Sequence, residues 1–212
     1  MDNYLTVSLI DFLYQMLCVF VPCMIYQSIL VKTHSDIQRK ILIKHFIWVY
    51  IFLIYLYLAL NKAGIGSIWD IGKYDTIIRL EEINLIPFQA GGFMTHILNI
   101  IMFMPLGFLL PLIWKSFRNG VGVLVTGVGF SLAIEIAQLF NRRLTDVDDL
   151  IMNTIGTIMG FIIWKVFTKV FKRKEATHFS LQVNEAAVYI TLSVLGTFCL
   201  YNWRFLYTLL YS

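Results

Sequence analysis

The chain has 212 residues; 58% are hydrophobic, 14% are charged, and the formal net charge at pH 7 is +4. Soluble domains carry about 25% charged residues, so this composition excludes an ordinary soluble domain and indicates an integral membrane protein. At about 20 apolar residues per membrane crossing, we expect residues 1–212 to form a single transmembrane domain, an all-α polytopic helical bundle.

Six apolar segments are long enough to cross a bilayer as helices. They predict about six transmembrane helices, at residues 5–31, 44–61, 95–114, 119–140, 148–170 and 184–210. Residues 62–94 are too polar and too rich in glycine to cross, so we expect a re-entrant or interfacial stretch there. No basic region precedes the first apolar segment, which predicts a retained helix rather than a cleaved signal peptide.

The distribution of basic residues predicts the orientation. Loops rich in lysine and arginine stay in the cytoplasm, so both termini and residues 62–94 are predicted to be extracytoplasmic in a multi-pass plasma-membrane protein. The basic run at 171–174 (FKRK) indicates topology and lipid contact, and we expect no nucleic-acid partner. Of the 17 basic residues, 11 lie at or after the ends of the first, third and fifth predicted helices: Lys32, Arg39, Lys40, Lys44, Lys115, Arg118, Lys165, Lys169, Lys172, Arg173 and Lys174.

The fourth predicted helix carries a polar face. Its polar residues are spaced four, three and four apart, which places them on one side of a helix: Ser131, Glu135, Gln138 and Arg142. Glu135 precedes the outer end of the helix by five residues, or about 7 Å at 1.5 Å per residue. A carboxylate at that depth is costly unless it faces protein or a wet cavity. Glu135 is therefore a candidate functional residue.

The fifth predicted helix brings further polar groups to the same end. Residues 145–148 (TDVD) are typical of a helix start, with the Thr145 hydroxyl as the N-cap. The stripe that follows consists of Asp149, Asn153, Gly156 and Gly160. Because glycines four residues apart allow a neighbouring helix to approach closely, we expect Asn153 to be brought towards that neighbour.

The third predicted helix begins at the same end, with His96 and Asn99 three residues apart on one face. The polar ends of these three helices predict one outward-facing polar pocket. Structural explanations remain open for several of its members. They are capping by Thr145 and Asp148, pairing of Arg142 and Arg143 with Asp146 in a solvated turn, packing of His96, and hydrogen bonding between helices by Asn99 and Asn153.

Four pieces of the sequence carry a family resemblance: NLIPF at 84–88, HILNIIMFMPLGFLLPL at 96–112, SLAIEIAQLF at 131–140 and RLTDVDDLIMNTIGTIMG at 143–160. Together they resemble the VanZ-like family, small bacterial membrane proteins named for a teicoplanin-resistance factor. The resemblance covers a core at 80–165, with 1–61 and 171–212 as flanking spans. The family positions that it carries over are Asn84, Pro87, Asn99, Pro105, Gly107, Glu135, Gln138, Arg143, Asp146, Asp149, Asn153 and Gly156. The resemblance implies a role at the cell envelope in reducing susceptibility to lipoglycopeptide antibiotics. It does not imply a particular chemical reaction.

The first functional hypothesis is that the pocket binds or modifies a membrane lipid or a lipid-linked cell-wall head group. Glu135 would be the general acid or base, and Asp146 and Asp149 would orient a cation or a sugar hydroxyl. Arginines match phosphate in a bidentate manner, which suits Arg79, Arg142 and Arg143. The remaining candidate ligand-binding residues are Asn84, His96, Asn99, Gln138 and Asn153.

Two other hypotheses remain open. Glu135 and Asp149 could relay protons or cations in a small transporter, or the chain could bind the antibiotic or a cell-wall partner without catalysis. Whether it is an enzyme is left open. The sequence contains no Gly-x-Ser-x-Gly, His-Glu-x-x-His, Walker or Rossmann motif, and we predict no cofactor. A magnesium or calcium site at Asp146, Asp148 and Asp149 is a weaker alternative.

Overall fold

The computed structural model describes residues 2–33, 39–71, 73, 83–84, 86–88, 92–141, 145–171 and 184–211. Within these ranges the chain forms seven α-helices and one pair of two-residue strands. The helices are α1 (Asp2–Thr33), α2 (Arg39–Ala63), α3 (Phe93–Ile113), α4 (Val121–Gln138), α5 (Val147–Val170), α6 (Glu185–Leu200) and α7 (Trp203–Tyr211). The strands are β1 (Ile83–Asn84) and β2 (Thr145–Asp146), which pair in parallel.

The helices confirm the prediction of an all-α membrane bundle. Helices α1 to α5 are long and apolar enough to cross a membrane, and α6 is a shorter apolar helix of 16 residues. Large apolar side chains such as Leu9, Ile54 and Ile162 expose roughly half of their area on the surface of the bundle. Such a surface is unfavourable in water and suits hydrocarbon.

The last predicted span, 184–210, differs from the structure because it is broken into two helices. α6 ends at Leu200, and Tyr201 has extended backbone before α7 begins. The Asn202 side chain accepts a hydrogen bond from the Phe205 amide at 3.1 Å, as asparagine does when it caps a helix start. The Tyr201 hydroxyl donates to Asp11 at 2.7 Å.

Helices α3 and α5 run side by side in the same direction with their backbones in contact. A side chain added to Gly156 would collide with the Ile100 carbonyl, and one added to Gly160 would collide with the Met104 carbonyl. This confirms the close approach predicted from the spacing of the two glycines. The polar residues at the starts of α3 and α5 are therefore neighbours.

Helix α1 packs antiparallel to α6. The Tyr14 hydroxyl donates to the Leu200 carbonyl at 2.8 Å, and a side chain on Gly196 would collide with the Cys18 carbonyl. An aromatic core fills the bundle between these helices and the others. Its largest fully buried members include Phe52, Phe103, Trp114, Phe130 and Tyr189.

The polar stretch at 62–94 lies partly outside the described residues, which omit 72, 74–82, 85 and 89–91. Its described parts return to the ends of the helices. The Gly66 amide donates to the Ala137 carbonyl near the end of α4 at 3.2 Å. In the strand pair, Ile83 lies opposite Thr145 and Asn84 opposite Asp146. Residues 83–84 and 86–88 are thereby brought to the start of α5.

Candidate functional site

The start of α5 is built by Asp146 rather than by Thr145, so the predicted N-cap is wrong by one residue. Asp146 has extended backbone, and its Oδ1 accepts from the Asp148 amide at 3.0 Å. Thr145 lies one residue before the cap, opposite Ile83 in the strand pair, and the first helical residue is Val147. The Asn84 side-chain amide donates to the same Asp146 oxygen at 3.2 Å. Asn84 and Asp146 therefore join the strand pair to the helix start.

Asp148 is fully buried and anchors the segment at 86–88. Its two carboxylate oxygens accept from the Phe88 amide at 2.8 and 3.0 Å. His96 Nε2 lies 3.4 Å from Asp148 Oδ2, and the His96 ring packs edge-on against the Phe88 ring. Phe88 adopts a φ of 62°, which is uncommon for a residue with a side chain. The Asp148 contacts hold this segment against the bundle.

The polar face of α4 points into the protein, as its spacing predicts. Glu135 is only 5% exposed, and its Oε2 accepts from the Asp146 amide at 3.3 Å. The Gln138 side chain donates to the Ala63 carbonyl at the end of α2 at 2.8 Å. The Ser131 hydroxyl accepts from the Asn153 side-chain amide at 2.9 Å. The face of α4 thus contacts both α2 and α5.

Asn99 and Asp149 join α3 to α5 at the same level. The Asn99 side-chain amide donates to Asp149 Oδ1 at 2.5 Å. This bond becomes possible because Gly156 lets the two helices approach closely, one to two turns further along α5. It fixes one carboxylate oxygen of Asp149 beside the Glu135 face of α4.

These residues surround a cavity of about 630 Å³, a volume within the range of small-molecule sites. One part of its wall is polar and the rest is apolar. The polar part comprises Lys62, Thr95, Asn99, Glu135, Gln138, Asp149 and Asn153. The apolar part comprises Leu58, Ala59, Ala63, Leu98, Ile101, Met102, Pro105 and Ile134, together with Tyr55.

Two buried amide oxygens in this wall have no hydrogen-bond partner among the described residues. They are Gln138 Oε1 and Asn153 Oδ1, on side chains that are 4% and 2% exposed. Buried polar atoms in folded proteins are nearly always paired, because an unpaired one costs about 1–3 kcal/mol. Both side chains belong to the cavity wall, which places two buried, unpaired acceptors next to the open volume.

The structure divides the predicted site residues into two groups. Asn99, Glu135, Gln138, Asp149 and Asn153 line the cavity together. Asn84, His96 and Asp146 do not line it and instead hold the neighbouring strand pair and loop. The predicted phosphate-binding arginines Arg79, Arg142 and Arg143 lie outside the described residues.

The alternative of a metal site at the start of α5 finds no support. Within the described ranges, no three histidine, cysteine or acidic side chains are close enough to share a metal ion. Asp146, Asp148 and Asp149 diverge, since they accept hydrogen bonds from Asn84, Phe88 and Asn99 respectively.

Some ionisable residues with buried or cavity contacts were not predicted. Lys62 lines the cavity from the end of α2, and its place on the same side of the membrane as Glu135 was the available signal. Glu185 is fully buried at the start of α6, where its carboxylate accepts from His45 and Trp114. Asp11 accepts from Tyr201 and Gln15 within α1 and its neighbours. No sequence spacing connects Glu185 with His45 and Trp114, or Asp11 with Tyr201.

Comparison with known proteins places the chain in a family. The VanZ/LLP1 family model matches residues 46–172, well over half of the chain, and includes every residue named in the cavity wall. Protein VanZ of Enterococcus faecium is 35% identical over 100 residues, which are 45% of this chain and 60% of that protein. The match thus spans less than two thirds of the relative's length. No solved structure matches. The chain is a membrane protein of the VanZ/LLP1 family.

Proposed function

We propose that this protein lowers the susceptibility of a bacterial cell to lipoglycopeptide antibiotics such as teicoplanin. It would do so by binding a lipid or lipid-linked cell-wall head group in the cavity between α2, α3, α4 and α5. The observation that carries the proposal is a cavity of about 630 Å³ with buried acidic and amide groups at one part of its wall and apolar residues over the rest.

An amphiphilic ligand suits this division of the wall. Leu58, Leu98 and Ile101 line the cavity and are also about half exposed at the surface of the bundle. A surface that is apolar and exposed in a membrane protein faces acyl chains. A hydrocarbon chain would therefore meet apolar protein from the surface to the cavity, while its head group would meet Glu135 and the amides.

The predicted orientation supports a role at the envelope. The cavity lies at the ends of α2 and α4 and the starts of α3 and α5, which the distribution of basic residues predicts to be extracytoplasmic. Lipid-linked cell-wall intermediates and externally added antibiotics share that side of the membrane. A protein that binds such a head group there would change what the antibiotic can reach.

Glu135 is the residue that we propose exchanges protons with the bound head group. It is buried, its position is fixed by the Asp146 amide, and it faces the cavity beside Asp149. A carboxylate in such a place can accept a proton from a hydroxyl or hold one for a leaving group. The head-group oxygens or nitrogens would be oriented by Asn99, Gln138 and Asn153.

The test replaces Glu135 by Gln, which keeps the shape of the side chain and removes its charge. With protein abundance held equal, we expect Glu135→Gln to lose protection against teicoplanin, whereas Leu132→Ala, on the lipid-exposed face of the same helix, keeps it. Retained lipid binding in the unprotected variant would assign Glu135 to chemistry, and lost binding would assign it to recognition. Full protection with Glu135→Gln would overturn the role of this residue.

A further inference from the structure

Apart from Lys62 and Thr95, the polar part of the cavity wall has unpaired acceptors, whereas its amide donors are already used. The side-chain amide nitrogens of Asn99, Gln138 and Asn153 each already donate to a protein atom. The amide oxygens of Gln138 and Asn153 have no partner among the described residues, and an ionised carboxylate can only accept hydrogen bonds. A molecule that satisfies this wall must bring hydrogen-bond donors.

Lys62, at the end of α2, favours a negatively charged group on the ligand. It lies in the last turn of α2, is exposed, and lines the same cavity. Its neighbour Ala63 holds Gln138 through a backbone hydrogen bond. An ammonium group at this place attracts an anion such as a phosphate, close to the donor-requiring wall.

The apolar lining gives the ligand a hydrocarbon part and a route. Leu58 of α2 faces the cavity on one side, and Leu98 and Ile101 of α3 face it on the other. All three are also exposed at the surface of the bundle. The lining is thus apolar from the lipid-exposed surfaces of α2 and α3 into the cavity.

From these three features we infer that the ligand is a lipid phosphate whose head group carries hydrogen-bond donors, hydroxyl or ammonium, and that it enters sideways between α2 and α3. This inference rests on the proposed function, because it names the class of molecule that the same cavity takes. The donors pair with Gln138 and Asn153, the phosphate lies near Lys62, and the chain leaves past Leu98.

The experiment offers the purified full-length chain a mixture of lipids with identical acyl chains. Phosphatidylethanolamine supplies an ammonium donor, phosphatidylglycerol supplies hydroxyl donors, and phosphatidylcholine has a phosphate but no donor. The lipids retained after purification are measured by mass spectrometry. We expect one or both donor lipids to be enriched about five- to tenfold over phosphatidylcholine, since one hydrogen bond gives a factor of that size.

Single substitutions test which cavity residue contacts the donor group, the phosphate and the acyl chain of the lipid. Asn153→Leu is expected to remove most of the enrichment, and Asn153→Asp, which keeps an acceptor, to retain it. Lys62→Gln is expected to weaken all three phospholipids alike and leave their ratio unchanged. Leu98→Trp is expected to slow lipid uptake between α2 and α3, whereas Leu132→Trp, similarly lipid-exposed but outside the cavity wall, is not.

The outcomes separate this inference from the proposed function. Enrichment of phosphatidylethanolamine alone would identify the donor as an ammonium, and enrichment of phosphatidylglycerol alone would identify it as a hydroxyl; both support the inference. Equal, saturable retention of all three lipids would overturn it and leave lipid binding intact. No saturable retention of any of them would overturn both proposals.

Discussion

Two buried glutamates, Glu135 and Glu185, lie at opposite ends of the bundle in different surroundings. Glu185 is 0% exposed, and its two oxygens accept from His45 Nε2 at 2.8 Å and Trp114 Nε1 at 3.1 Å. Glu135 is 5% exposed and lines a cavity of about 630 Å³. Along α2, His45 and Lys62 mark these two ends, about 25 Å apart at 1.5 Å per residue.

The difference teaches that burial of a carboxylate in a membrane bundle does not by itself mark a functional site. Glu185 is enclosed by donors from α2 and α3, so its burial is explained by packing the three helices together. Glu135 lies beside open volume and beside amide oxygens without partners among the described residues. Open volume and unsatisfied acceptors, rather than charge, distinguish the site.

The largest expected loss of stability comes from removing the enclosed glutamate, Glu185. Glu185→Ala leaves two buried donors, on His45 and Trp114, without an acceptor, and should lower the free energy of unfolding by about 3 kcal/mol. Glu135→Ala removes one acceptor from the Asp146 amide and should cost about 1 kcal/mol. Unfolding in mixed micelles, followed by circular dichroism, measures both.

Lipid retention by the same two variants should show the opposite order, with the larger loss in Glu135→Ala. Folded Glu185→Ala protein is expected to keep its bound lipid, and Glu135→Ala protein to lose it. If Glu135→Ala proved the more destabilising of the two and retained lipid, the distinction between an enclosed and a cavity-facing carboxylate would be wrong.

A second comparison concerns glycines. Gly156→Ala places a methyl group against the Ile100 carbonyl, which cannot move aside without separating α3 from α5, and should cost about 2 kcal/mol. Gly129→Ala in α4 meets nothing within 4 Å and should be neutral or slightly stabilising, since alanine favours helix. Thermal unfolding of the two purified variants compares them; equal melting temperatures would contradict the backbone contact.

The smallest expected effect separates two adjacent acids. Asp148→Asn weakens the anchor of the Phe88 amide and should cost about 1 kcal/mol of stability without changing lipid selectivity. Asp149 lies in the cavity wall, so Asp149→Asn should change lipid selectivity while its stability stays similar to that of Asp148→Asn. Lipid mass spectrometry measures the lipid selectivity of both variants, and thermal unfolding measures their stability. If both variants changed lipid selectivity to the same extent, the assignment of Asp148 to the loop anchor and Asp149 to the cavity would be wrong.

Regular spacing made much of the fold and part of the site predictable. The helical period places Ser131, Glu135 and Gln138 on one face, and the two glycines of α5 predict close contact with a neighbouring helix, which the structure shows to be α3. The cost of a charge in hydrocarbon then requires that these faces meet. Of the residues predicted in this way, Glu135, Gln138, Asp149 and Asn153 line the cavity.

The remaining features depend on partners far apart in the sequence. His45 and Glu185 are separated by 140 positions, and each lies near the end of an apolar segment, where a charged residue is ordinary. The Asp146 side chain that caps α5 is also held by Asn84, which lies 62 positions away and is brought there by the pairing of β1 with β2. The break after Leu200 depends on the Asn202 cap, which a hydropathy window does not detect.

The most direct measurement is an experimental structure of the full chain in lipid nanodiscs that contain the donor-bearing phospholipid. We expect density for a head group between α2, α3 and α4, within about 3 Å of the amide oxygens of Gln138 and Asn153, with a chain emerging past Leu98. A cavity that stays free of lipid at saturating concentration, or a head group bound away from Glu135, would contradict the account.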